Sequence, residues 1–186
     1  IARIFRSHHM IEAYPSIVAS GHNSCILHYT QCTRQIQEGD LVLIDAGSEY
    51  MGYASDTTRT FFVGGNMSDR IRRVYDSVLS IKEIAENTLK PGISFIEYEN
   101  IIRTTMNLEL QKLWLIPENS TEEEISLLSK KYYPHRTSHF LGLDVHDVGP
   151  RDIVFASGMV VTIEPWIYIR EENIGIRIED DYLITE

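Results

Sequence analysis

The chain is poor in cysteine, in long apolar runs and in positive charge. Its only two cysteines are Cys25 and Cys32. Their spacing is not that of a zinc pair, and they read as two reduced thiols, in a strand and a nearby loop, of a protein in a reducing compartment such as the cytoplasm. The longest apolar runs, such as Leu41–Ile44 and Met159–Val161, are a few residues each, far from the roughly 20 that a membrane helix needs. Lys and Arg number 17 against 27 Asp and Glu, a formal charge of -10. Such a surface repels phosphate backbones, so nucleic acid and anionic membranes are excluded as partners unless a local basic patch exists. Homo-oligomer formation is left open. With 43% hydrophobic residues among 186, one domain can bury a sufficient core without disulfides.

Three zones differ in pattern. Residues 16–63 predict mostly strand, with Val18, His22–His28 and Leu41–Asp45 punctuated by glycines. Residues 68–131 predict helices. Ile71, Val74, Val78, Ile81 and Ala85 recur at helical spacing after a Ser68 cap. Pro91-Gly92 breaks that helix. Ser94 with Glu97 then proposes a capping box for a second helix through Ile102, Met106 and Leu110, and a third is expected over Thr121–Lys131. Residues 138–185 return to strand. Two stretches share one shape: Gly39–Asp45 and Gly158–Glu164 each run from a glycine through an apolar strand to a carboxylate. Each precedes another strand with its own acid, Asp56 or Glu179, which suggests two related halves.

A carboxylate ending a buried strand costs several kcal/mol unless something offsets its charge. A hairpin turning at Tyr50 and Met51 would set Asp45 opposite Asp56 as a cross-strand pair. A turn near Glu171 and Glu172 would set Glu164 opposite Glu179. Facing carboxylates repel unless a cation lies between them. His135 and His139 are four apart, but Arg136 stands where a zincin has its general-base Glu, so that motif is disfavoured. One imidazole with four carboxylates is an oxygen-rich donor set suited to divalent ions such as Mn²⁺, with Co²⁺ or Zn²⁺ as alternatives. So many carboxylates fit two ions better than one.

These residues resemble the metallopeptidases of the pita-bread fold, the group that includes methionine aminopeptidase, Xaa-Pro aminopeptidase and Xaa-Pro dipeptidase. The resemblance runs from about Tyr14 to Glu186. It rests on Gly21–Tyr29, Leu43–Gly47, Asp56–Thr60, Ser138–Gly149, Thr162–Pro165 and Gly175–Asp180. It implies an α+β fold of two pseudo-symmetric halves, an antiparallel sheet covered by helices. It also implies two divalent ions held by Asp45, Asp56, His139, Glu164 and Glu179, with Asp56 and Glu179 bridging. His28, His135 and His146 would surround the scissile bond and the prolyl residue, with Arg177 beside them and Glu164 as proton acceptor. The two proline-directed branches fit best, and the aminopeptidase over the dipeptidase. The implied activity is hydrolysis of the bond between an N-terminal residue and a following proline, on peptides with proline second. An inactive peptide-binding module is the alternative from another class. Against the family pattern, residues 1–186 read as a catalytic domain without its first helices and without an N-terminal creatinase-like domain. The stretches 149–164 and 169–175 look short.

Overall fold

The computed structural model describes residues 1–150 and 152–186. Four helices and ten strands, all antiparallel, are present among them, the mixture expected. No helix of the described residues is long and apolar enough to cross a membrane.

The first half is built around β3 (Leu41–Asp45), which lies between β2 (Ile17–Ser20) and β6 (Thr58–Phe62). Leu41, Val42 and Leu43 are all buried, as an uninterrupted apolar run between turn residues requires. A small sheet of β1 (Ile11–Glu12), β4 (Ser48–Tyr50) and β5 (Tyr53–Ala54) lies beside it. In the second half, β7 (Val160–Ile163) pairs with β10 (Asp180–Leu183), and β8 (Trp166–Ile169) pairs with β9 (Ile174–Arg177). The halves are stitched together at β6 and β9. Glu179 N donates to Thr58 O at 3.0 Å, Thr60 Oγ1 donates to Arg177 O at 2.9 Å, and Arg177 N donates to Thr60 Oγ1 at 3.2 Å.

A short helix, α1 (Ala2–Ser7), precedes the sheets. The helices expected from periodicity are α2 (Asp69–Thr88), α3 (Phe95–Lys112) and α4 (Glu122–Tyr132). The first two start at the predicted caps, where Ser68 accepts from Ile71 N and Ser94 from Glu97 N, and α4 starts after Thr121, which closes a full capping box with Glu124. The α3 face Tyr98, Ile102, Met106 and Leu110 is fully buried, one residue per turn against the core.

Two expectations are corrected. The stretch His22–His28 is not a strand: Gly21–Cys25 forms a 3-10 turn, and residues 26–40 are irregular. Gly175 admits that turn, since a Cβ there would lie 2.1 Å from Ser24 O. The first hairpin also turns later than expected, at Met51 and Gly52, both at positive φ, the backbone of a primed two-residue turn. Asp45 therefore faces Thr58, not Asp56. Asp56 leaves the ladder in the connection to β6 and reaches the site from there. Gly47 permits the close crossing, because a Cβ would lie 1.7 Å from Ser55 O. The second hairpin keeps the expected register. Ile163 faces Asp180 and Trp166 faces Arg177, so Glu164 and Glu179 sit opposite one another in the gap between the two pairings.

Candidate metal centre

The carboxylates converge because strands from both halves end at the seam. His139 Nε2 lies 3.4 Å from Glu164 Oε1, 3.5 Å from Asp56 Oδ2 and 4.0 Å from Glu179 Oε1. Donor atoms of Asp56, His139 and Glu179 lie within 4.8 Å of one another. The histidine arrives on a segment that runs along β7: His139 O accepts from Thr162 N at 3.0 Å and Thr137 O from Glu164 N at 2.8 Å. His139 Nδ1 is 3.0 Å from Phe140 O. A carbonyl only accepts, so Nδ1 carries the proton and Nε2 turns its lone pair toward the carboxylates.

Those groups suit a cation. His139 Nε2 and Glu179 Oε1 are buried with no hydrogen-bond partner, a costly state for polar atoms unless a ligand completes them. Asp45 is held differently. Its carboxylate pairs with the buried Arg177 guanidinium and accepts from Tyr14 OH at 2.5 Å. The same phenol hydrogen-bonds Asp56, so Tyr14 joins the two aspartates that the hairpin register keeps apart. Arg177 does not reach out among the histidines. Its remaining donors go to Thr58 Oγ1, at 3.0 Å, and Tyr168 OH.

Asp45, Asp56, His139, Glu164, Glu179, His28, His135, His146 and Arg177 all line one cavity of about 290 Å³. His28 and His146 are exposed to it. The His146 ring stands edge-on to His139, 4.5 Å between centroids, and His135 packs on Trp166 at 4.3 Å.

The whole of residues 1–186 matches metallopeptidase family M24. The chain belongs to that family. It is 43% identical to the Xaa-Pro aminopeptidase of Escherichia coli, over 94% of this chain and 42% of the relative. It is 37% identical to human Xaa-Pro aminopeptidase 3, over 95% of this chain and 37% of the relative. Among solved structures, a histidine-to-alanine variant of E. coli aminopeptidase P superposes with a TM-score of 0.91 at 42% identity, covering 99% of this chain and 45% of that one. Proline aminopeptidase P II from Yersinia pestis matches at 0.91 and 41%, with the same coverage. The architecture is thus the pita-bread fold expected, and this M24 chain spans less than half the length of those relatives.

Sequence reasoning missed the groups that hold the clustered acids and His139 in place. Thr58 Oγ1 donates to Glu179 Oε2 at 2.6 Å, and Arg59 donates to Glu179 O at 2.6 Å. Asp181 accepts from Asp56 N at 3.1 Å. Glu99 of α3 is buried, and its two oxygens accept from Thr137 N at 3.3 Å and Ser138 N at 3.2 Å. It thereby caps the outer edge of the segment bearing His135 and His139. Only Thr58 and Arg59 fell inside a recognised motif. The others look like ordinary surface acids or a lone tyrosine in the sequence.

The clustering perturbs proton affinities. Burial pushes Glu164 up to about 8, against the opposing pull of His139 and Arg177. Burial, then the charges of Glu164, Asp56 and Asp45, holds Glu179 well above the carboxylate range. Burial raises Asp45, against Arg177 and with Asp56. It pushes Glu99 up to about 7 despite the hydrogen bond from Thr137. His139 is raised: burial works against its charge, but Asp56 and Glu164 beside it prevail. Burial takes His135 down to about 4.

A stability prediction follows for the metal-free chain. Folded Glu164 and Glu99 hold protons to about 8 and about 7, whereas unfolded glutamates release theirs near 4.5. Their contribution is complete below that lower value and is lost as pH rises through the folded values. His135 acts in the opposite sense between about 4 and 6.5. The net decline is therefore clearest from about pH 6.5 to 8. Thermal melts in chelator should show Tm falling over that range, and added Mn²⁺ should raise Tm more at pH 8 than at 6.5. A Tm that climbs with pH in chelator would contradict the account.

Proposed function

We propose that this chain is the catalytic part of an Xaa-Pro aminopeptidase. It hydrolyses the bond between an N-terminal residue and a following proline, using two divalent ions, Mn²⁺ by preference. Asp45, Asp56, His139, Glu164 and Glu179 are the proposed ligands. The observation that carries this reading is the meeting of four carboxylates and an imidazole in one cavity, with His139 Nε2 and Glu179 Oε1 buried and unpartnered. When bound, the ions supply an activated water and a polarised carbonyl.

The chain's own groups then have distinct tasks. Glu164 accepts the proton of the attacking water, as the carboxylate that stands beside His139 in the cavity. His135 and His146 are both shifted down, chiefly by burial. They are neutral donors at pH 7, able to hydrogen-bond the developing oxyanion without competing for the site as cations. A carboxylic acid or imidazole must also protonate the prolyl nitrogen as it leaves. Arg177 and Tyr14 orient Asp45. A further cleft of about 570 Å³, bordered by His135, His139, His146 and Glu164, supplies room beyond the proline. That room favours an aminopeptidase over a dipeptidase.

The test is to compare Xaa-Pro-Xaa, Xaa-Ala-Xaa and the dipeptide Xaa-Pro with the Mn²⁺-loaded chain. Strong preference for the first is expected. Equal cleavage of the alanine peptide would replace this reading with a broader aminopeptidase, and preference for the dipeptide would make it a dipeptidase.

A further inference from the structure

Three cavities share residues with the metal pocket. One, of about 420 Å³, meets it only at His28; the two that share several of its residues differ in kind. One, of about 220 Å³, is walled by Tyr14, Pro15, Ile17 and Val145 together with His28 and His146. The other is the cleft of about 570 Å³, which continues past Phe95 to Arg103 and Arg136. An enzyme that removes one N-terminal residue must house a single residue on one side of the scissile bond. On the other side it must pass a chain of any length. Of the two that border several ligand residues, only the larger cleft has space for the second task. A peptide that continues past the proline through it would pass the wall that carries the two arginines.

That wall brings cations to the surface of an acidic molecule. The chain has a formal charge of -10, yet the cleft presents two guanidinium groups, and the acids that also line it are engaged elsewhere: Asp147 accepts from the Leu143 and Val148 amides, and Glu164 lies beside His139. Among the described residues neither Arg103 nor Arg136 has a carboxylate within 4.0 Å, although other cations of the chain pair at that distance. Arg136 is exposed and lies over the Phe95 ring, 5.7 Å from its centroid. Stacking fixes the plane of a guanidinium and leaves its N–H edge free for a carboxylate. Glu99 is the nearby acid and feels both guanidinium charges, but it forms no ion pair with either: it is buried, and its oxygens accept from the Thr137 and Ser138 amides. Two unpaired cations on one wall of an acidic protein make a local attractor for anions.

We propose that Arg103 and Arg136 are specificity-determining residues that bind a carboxylate carried by the substrate on the C-terminal side of the proline. The carboxylate is either the free C-terminus of a short peptide or an acidic side chain at that place. The proposal rests on the Xaa-Pro peptidase reading above and names the substrate class it prefers.

The test uses the whole Mn²⁺-loaded chain and four peptides: Xaa-Pro-Xaa as free acid, the same as C-terminal amide, and Xaa-Pro-Asp-amide with Xaa-Pro-Asn-amide. A carboxylate-bearing member should be favoured over its neutral match by about fivefold to tenfold in kcat/KM, what two partly exposed charge contacts supply. The gain should lie in KM and shrink at high ionic strength. In Arg103→Gln/Arg136→Gln the ratio should collapse toward one, and Arg136→Lys should keep part of it. A general loss of stability would lower both members of a pair and leave their ratio unmoved. A preference in the acid–amide pair alone assigns the wall to the C-terminus; one in the Asp–Asn pair alone assigns it to a side chain. Equal cleavage within both pairs by the unmodified chain, or a ratio that survives in the double variant, overturns the proposal and leaves the peptidase reading intact. Cleavage of none of the four overturns that reading and the proposal with it.

Discussion

Glu179→Gln is expected to reduce metal-dependent turnover by about a thousandfold, because several kcal/mol of barrier lowering depend on the ions. The same substitution should make the metal-free chain more stable at pH 8. Glu179 is buried, with Oε2 accepting from Thr58 and Oε1 without a partner, so its charge costs folding free energy in the absence of a cation. Glutamine keeps the shape and can still accept from Thr58, but it cannot neutralise an ion. The measurements are bound metal per chain, turnover of an Xaa-Pro-Xaa peptide, and melts with and without Mn²⁺. The variant should show a higher Tm in chelator and a smaller rise on adding metal. Full metal occupancy with near-parental turnover would remove Glu179 from the ligand set. Asp45→Asn is a less discriminating probe. It would also strip the buried Arg177 of its partner, at roughly 3–5 kcal/mol for a broken buried pair.

His146→Ala should separate chemistry from metal binding. The side chain is exposed to the cleft and meets His139 only edge-on, so its removal should leave the fold and the ions in place. Turnover should nonetheless fall by about a hundredfold or more, the usual loss on deleting an oxyanion donor or a proton-transfer group. Metal content should stay at the parental level while kcat falls. If His146→Ala sheds metal as fully as Glu179→Gln does, the division between ligands and surrounding histidines is wrong.

Much of this arrangement is legible in the chain because it is local. The caps at Ser68, Ser94 and Thr121 each act within three residues of themselves, so composition alone locates three helices. The apolar runs ending in Asp45 and Glu164 locate two strands. A carboxylate closing a buried strand has few uses besides holding a cation. Recognised motifs then bring nine residues to attention, and those nine line one cavity.

What the tertiary structure alone decided is how those residues are supported. The first hairpin's register turned on the backbone of Met51 and Gly52, which put Thr58 opposite Asp45 and sent Asp56 in from a loop. Tyr14 reaches Asp45 across 31 residues, Arg177 reaches it across 132, and Glu99 holds Thr137 across 38. No periodicity or spacing encodes such contacts, because a buried polar group is satisfied by whatever the packed elements bring beside it. The sequence by itself determined the helices, the strand-ending acids and the family. Only the closing of one half upon the other along β6 and β9 decided which acids meet in one cavity, which one an arginine neutralises, and which two arginines are left facing the cleft.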